Sequence, residues 1–283
     1  MSILTIQSAV AYGHVGNSAA MFALQRLGFE AWAVNTVQFS NHPGYGAWRG
    51  RVAPAEEVAA VIQGIAERGV LPGCRAVLSG YLGDPALGEV VLDAVERVKA
   101  ANPAALWCCD PVIGDTATGI YVRPGIAEFF RDRALEAADL VTPNVFEAEF
   151  LTGRRIESLS SALAACAALR ARGPRLVLLT SLRRNDPDGE RIGLLASSAA
   201  GSWLVETPLL PLHPNGAGDA VAALFLGNWL HHGDIARALE MAASAIHAVL
   251  KQTLASGERE IQLITAQEAL VAPPERFAAR RCD

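Results

Sequence analysis

Apolar positions along this chain follow two alternating rhythms. Short runs rich in leucine and β-branched residues are separated by longer stretches in which apolar positions recur every three or four residues. The short runs predict strands over Ile3 to Gln7, Ala31 to Asn35, Ala76 to Ser79, Leu106 to Asp110, Leu140 to Thr142 and Leu176 to Thr180. The longer ones predict helices near Ser18 to Leu27, Ala55 to Arg68, Leu87 to Ala100 and Leu159 to Ala171, and a last pair over Asp219 to Leu230 and Ile235 to Leu250. Such alternation is the signature of βαβ units, so an α/β fold with a mostly parallel central sheet flanked by helices is expected. Between Gly193 and Pro208 the rhythm breaks. Two apolar runs around Ala200-Gly201-Ser202 predict an antiparallel hairpin at the sheet edge. The arginine-rich end from Glu275 carries no such pattern and is expected to be loosely held. Nothing reads as a linker, and residues 1–283 are taken as a single domain.

Composition narrows the field. An apolar share of 51% against 19% charged residues fits a large buried sheet, and a net charge of -5 with no basic stripe argues against a nucleic-acid surface. No uncharged apolar run is long enough to span a bilayer. Met1 is followed by Ser-Ile-Leu-Thr-Ile-Gln rather than by a basic segment and a long apolar core, which argues against a secretory signal. The 5 cysteines show no metal-ligand spacing and suit a reducing compartment, so cytoplasm is the expected location. The only lysines are Lys99 and Lys251, and neither lies in a glycine-rich phosphate loop. A bound nucleotide would therefore be neutralised by arginine, backbone amides or metal.

The densest chemistry lies in Asn215-Gly216-Ala217-Gly218-Asp219, which opens the helix predicted from Asp219. Gly216 and Gly218 let successive N–H groups turn toward one anion, and the positive end of a helix dipole points the same way. A carboxylate beside an anion site is repulsive unless it handles a proton or a metal. Phosphoryl transfer to an alcohol needs both a cradle and a base. The plainer alternative is a turn with a capping aspartate.

Ligands of parallel sheets sit beyond the carboxyl ends of the strands. Ser8, Ser79-Gly80-Tyr81, Asp110-Pro111, Thr142-Pro143-Asn144 and Thr180-Ser181 all follow predicted strands. Asp110 closes an apolar run, where an uncompensated charge is costly and a magnesium–nucleotide complex would offset the cost. Asn144 and Glu147 share one face at the start of the next helix, as metal-directed groups or as the two halves of a capping box.

The segments Ile6-Gln7-Ser8, Tyr12 to Ala19, Asn35 to His42, Leu78 to Tyr81, Cys109 to Asp115 and Thr142-Pro143-Asn144 resemble the pyridoxal kinases of the ribokinase superfamily, in order and over most of the chain. The resemblance implies a ribokinase-like three-layer sandwich and transfer of the γ-phosphoryl of ATP to the 5′-hydroxyl of pyridoxal, with possible acceptance of pyridoxine and pyridoxamine. It implies that Asp219 is the base and that the amides of Gly216, Ala217 and Gly218 stabilise the transferring group. Asp110, Asp115, Thr142, Asn144, Glu147 and Thr180 are implied to surround ATP, with Asp110 and Glu147 holding Mg2+ partly through water. Thr207, Pro208, Leu209 and Leu210 match the stretch near the adenosine. For the vitamin, Ser8 matches the residue that meets the pyridine nitrogen, and Val15, Phe39 and Tyr81 match the ring-enclosing set, with core packing as the alternative for Phe39 and Tyr81. His42 either reaches the substrate or holds its loop, and the segment Ser40 to Arg51 is a candidate lid.

At position 43 this chain carries Pro43-Gly44 where family members often have a threonine, which leaves backbone contacts there. A homodimer is implied by resemblance alone, and a requirement for K+ stays open. The rivals are a hydroxymethylpyrimidine kinase, whose glycine-rich opening after the first strand is absent here, and a vitamin-binding regulatory protein without turnover.

Overall fold

The computed structural model describes residues 1–186 and 189–282. Its strands are β1 (Ser2–Val10), β2 (Glu30–Phe39), β3 (Gly50–Val52), β4 (Cys74–Ser79), β5 (Leu106–Cys109), β6 (Gly114–Asp115), β7 (Gly119–Ile120), β8 (Leu140–Val141), β9 (Leu176–Asp186), β10 (Gly189–Ser198), β11 (Gly201–Pro208) and β12 (Arg280–Arg281). The helices are α1 (Asn17–Arg26), α2 (Ala55–Ala66), α3 (Leu87–Ala101), α4 (Ile126–Phe129), α5 (Leu135–Ala137), α6 (Val145–Thr152), α7 (Leu159–Arg170), α8 (Ala217–His232) and α9 (Ile235–Ser256). A π-helical turn, Phe130–Ala134, joins α4 to α5.

One sheet runs β12-β11-β10-β9-β8-β5-β4-β1-β2-β3, and β6 pairs with β7 apart from it. From β2 through β1, β4, β5 and β8 to β9 every pairing is parallel. Both margins are antiparallel, with β3 on β2 and a meander β9-β10-β11-β12 on the other side. Alternation along the buried strands sends neighbours to opposite layers. Leu4, Ile6, Trp107 and Cys109 pack with α2, α3, α6 and α7, whereas Ile3, Ala76, Leu78 and Cys108 pack with α1, α8 and α9. The result is the three-layer sandwich expected from the rhythm, mostly parallel with antiparallel edges.

Differences from the sequence expectations are local. The sixth strand runs on to Asp186 because it continues into the meander. Ser8 lies inside β1 rather than after it. The end of the chain is not loose: Phe277 and Ala279 donate their amides to Ser244 Oγ and Glu240 Oε1, and β12 then pairs with Trp203 and Leu204 of β11. The hairpin is thus one step inside the edge. No helix among the described residues is long and apolar enough to cross a membrane. Lys99 pairs with Asp139 at 2.8 Å and Lys251 with Glu275 at 3.6 Å.

Candidate active site

The β1–α1 turn is where the site is assembled. The β1/β2 register shifts between Gln7 and Ala9, so Ser8 sits at an irregularity, where a strand re-aims a side chain. Gly16, with φ 53, leads into α1, and a Cβ built on it would come within 2.3 Å of Ser8 Oγ and 2.1 Å of Ser8 O. Only glycine allows that approach. Beneath the turn Asn17 is fully enlisted: its Oδ1 accepts from Thr5 Oγ1 at 2.7 Å, and its Nδ2 donates to Val34 O and Asn35 Oδ1. Ser18 Oγ donates to Val10 O at 2.7 Å and accepts the Val10 amide. These ties explain Asn17, Ser18 and Asn35 as scaffolding for a turn, a role their residue types alone do not announce.

Facing the turn is the start of α8. Gly216, with φ 84, is its N-cap, and a Cβ there would lie 1.7 Å from His14 O. Ala217, Gly218 and Asp219 form the first helical turn, whose amides have no carbonyl partner one turn earlier. A Cβ built on Gly218 meets nothing within 4 Å, so the cradle opens on free space. Asp219 is half-buried at its lip. Burial raises its pKa, while the amides of Gly16 and of Asp219 itself hydrogen-bond the carboxylate and pull the other way.

Asp110 is buried just past β5, and its Oδ1 accepts from Thr142 Oγ1 at 2.8 Å. Burial, and then the charge of Asp219, push its pKa up to about 7, with the Thr142 hydrogen bond opposing. Glu147 is also held well above its ordinary value, by burial and then by Asp110. The structure makes the capping box: Glu147 Oε2 accepts the Asn144 amide at 2.8 Å and Asn144 Oδ1 accepts the Glu147 amide at 3.0 Å. Glu147 Oε1 takes the Ile113 amide, and Asn144 Nδ2 donates to Gly114 O. Both side chains therefore brace the loop that carries Asp110 toward β6. Asp115 Oδ1 accepts from the amides of Ala117 and Thr118 and shapes the β6–β7 hairpin.

Asp219 repels Asp110 and Asp110 repels Glu147, and carboxylates so placed in a partly dry site fit a cation. No group of three metal-ligating side chains among the described residues is close enough to hold one directly. A magnesium ion would therefore rest mainly on Asp110, water and the phosphates of its nucleotide, with Glu147 reached through water.

Val15 and Phe39 form a small apolar cluster with Val10 and Val37, against which Tyr81 packs. The predicted ring-enclosing set is thus brought together. Trp48, from the candidate lid, covers Phe39 with ring centroids 4.0 Å apart. His42 Nδ1 accepts the Gly44 amide at 3.1 Å and caps the turn Pro43–Tyr45, so in this structure it holds its loop. Burial lowers its pKa, which suits a neutral acceptor. Thr180 joins the strand ends through its amide, bonded to Pro143 O at 2.8 Å. Thr207 is buried near the end of β11, followed by exposed Pro208 and by Leu209, which bonds Glu190 O.

Sequence reasoning passed over Glu260, Arg259 and Tyr45. Glu260 is buried beyond α9, accepts the His14 amide at 3.1 Å and accepts from Tyr45 Oη at 2.7 Å. Its partners are 246 and 215 positions away, so no local pattern could have flagged it.

Fold and site together define a kinase. The family model described as phosphomethylpyrimidine kinase matches residues 19–263. The chain is 61% identical to pyridoxal kinase PdxY of Rubrobacter xylanophilus over 99% of its own length and 97% of that protein, and 52% identical to pyridoxal kinase PdxY of Granulibacter bethesdensis over the full length of both. Its structure superposes on pyridoxal kinase from Leishmania donovani in complex with ADP and pyridoxamine with a TM-score of 0.91, at 28% identity, covering 100% of this chain and 99% of that one. The chain belongs to the pyridoxal kinase family.

Proposed function

We propose that this protein transfers the γ-phosphoryl of ATP to the 5′-hydroxyl of pyridoxal, giving pyridoxal 5′-phosphate and so salvaging vitamin B6. The observation that carries this reading is the double role of Gly16, which abuts Ser8 on one side and gives its amide to Asp219 on the other. The vitamin slot and the base are thereby joined through one residue.

Ser8 meets the pyridine nitrogen, and Val15, Phe39 and Tyr81 enclose the ring, leaving the 5′-hydroxyl toward Asp219. Asp219 orients that hydroxyl and takes its proton as the bond to phosphorus forms; a pKa raised by burial makes it a better acceptor. The amides of Ala217 and Gly218 at the α8 N-terminus receive the migrating phosphoryl. Asp110, Thr142, Asn144 and Glu147 define the face on which the ATP phosphates lie, Asp115 and Thr180 border it, and Thr207 to Leu210 line the adenosine. When bound, magnesium neutralises phosphate charge and holds the phosphates in line for attack. A homodimer in the cytoplasm is proposed on resemblance to the family.

The test is ATP-dependent formation of pyridoxal 5′-phosphate with magnesium present, run beside hydroxymethylpyrimidine and a pentose. Selective turnover of pyridoxal is expected. Turnover of a rival alone would discard the substrate, and tight pyridoxal binding without turnover would favour a regulatory role.

A further inference from the structure

Besides the Trp48 contact with Phe39 and the pairing of Gly50 and Arg51 with β2, the candidate lid is fastened through its turn Pro43–Tyr45. Tyr45, at the end of the turn Pro43–Tyr45, gives its hydroxyl to Glu260 Oε1 at 2.7 Å. The guanidinium of Arg259 lies 3.8 Å from the centroid of the same ring and also donates to Gly44 O, while Tyr12 meets that ring edge-on at 6.1 Å. The other oxygen of Glu260 accepts the His14 amide at 3.1 Å. Gly13, with φ 93, leaves room for this, since a Cβ there would lie 2.1 Å from Glu260 Oε2. The base of the fastening is firm, because Ile261 and Leu263 are fully buried beside Glu260.

One buried carboxylate therefore ties two segments together: the lid over the apolar slot, and the turn whose His14 abuts Gly216 and whose Gly16 serves Asp219. Resting on the proposed function, we infer that Glu260 is a positioning residue, latching the Tyr45 lid to the Gly13–Gly16 turn so that the vitamin is held against Asp219. A charge-assisted hydrogen bond at each oxygen is strong enough to set the population of closed lid, and Arg259 keeps the ring over its acceptor. Among the described residues, Tyr45 and Glu260 make no hydrogen bond to Asp110, Thr142, Asn144 or Glu147, so the loss of the latch falls mainly on the vitamin.

The test uses the full chain with Glu260→Ala, Glu260→Gln, Tyr45→Phe and the double variant Tyr45→Phe/Glu260→Ala. Glu260→Ala raises the KM for pyridoxal about tenfold and leaves the KM for ATP within about twofold. Glu260→Gln keeps an acceptor for the His14 amide and a donor for Tyr45 Oη, so it restores most of the affinity. Tyr45→Phe in the Glu260→Ala background adds no further loss, because one interaction cannot be removed twice. Independently of turnover, Glu260→Ala and Tyr45→Phe speed tryptic cleavage after Arg49 and Arg51 in the lid, measured without substrate. Equal rises in both KM values, additive single effects or unchanged cleavage would overturn the latch. Should the wild type fail to phosphorylate pyridoxal, the substrate assignment falls, and the cleavage measurement still decides the latch by itself.

Discussion

Asp219 and Asp110 are both aspartates at the mouth of one site, yet they answer to different neighbours. Asp219 borrows two backbone amides, whereas Asp110 has Thr142 and the repulsion of Asp219. Replacement Asp219→Asn conserves volume and removes the proposed base. Turnover is expected to fall by about two to four orders of magnitude with the ATP dissociation constant nearly unchanged, as checked by steady-state kinetics and calorimetry. For Asp110, the rise from 3.8 to about 7 means that the folded chain binds more protons than the unfolded one across that interval. Stability of the ligand-free protein therefore drops as pH rises through the window. In chelator, Asp110→Asn should stabilise the protein at pH 8 by about 1 to 3 kcal/mol, with little gain at pH 4, while turnover collapses. Thermal melts at the two pH values check this, and an equal gain at both would refute the cause given. At this scale the chain announced Asp110, Asn144, Glu147 and Asp219 through their positions after strands or at helix starts. It did not disclose that Asn144 and Glu147 spend their polar atoms on each other and on the Ile113–Gly114 loop, because a capping box and a metal-directed pair look alike in sequence.

Among the elements, the two glycines of the cradle have opposite duties. Gly216 is needed where it stands: φ 84 lies in the left-handed region and the His14 carbonyl fills the space a side chain would take. Gly216→Ala should cost about 2 to 4 kcal/mol in a denaturant titration. Gly218 has helical backbone and open space before it, so Gly218→Ala should leave stability within about 0.5 kcal/mol. It puts a methyl group on the proposed path of the phosphoryl, and kcat should fall at least about tenfold. A motif scan cannot separate the two, since both are simply glycines in one run. The helices α1, α2, α3, α7 and α8 were legible from spacing to within two residues, and α9 starts where expected but runs on to Ser256 rather than Leu250. Strands β3, β6 and β7 were not, being two or three residues long, too short to show an alternation. The Glu260 latch was invisible for another reason: its partners lie 246 and 215 positions away.

For the molecule as a whole, the parallel centre was readable because strands buried on both faces give unbroken apolar runs. The docked end was not, since Arg280 and Arg281 look like solvated charge and are held by backbone pairing to β11. Removing the chain from Ala279 onward should lower stability by about 1 to 2 kcal/mol and expose the β11 edge to other copies. Melting curves and light scattering would register both effects, and an unchanged scattering profile would mean that β12 is not what guards the edge. The ion pairs of the two lysines have a quieter consequence. Pyridoxal and its phosphate are aldehydes, which condense with free amines to form imines. With one ammonium committed to Asp139 and the other to Glu275, no lysine stands among the residues assigned to the slot or the cradle. A carbonyl compound can enter the proposed slot, gain its phosphate and leave without meeting a lysine amine among the residues that hold it.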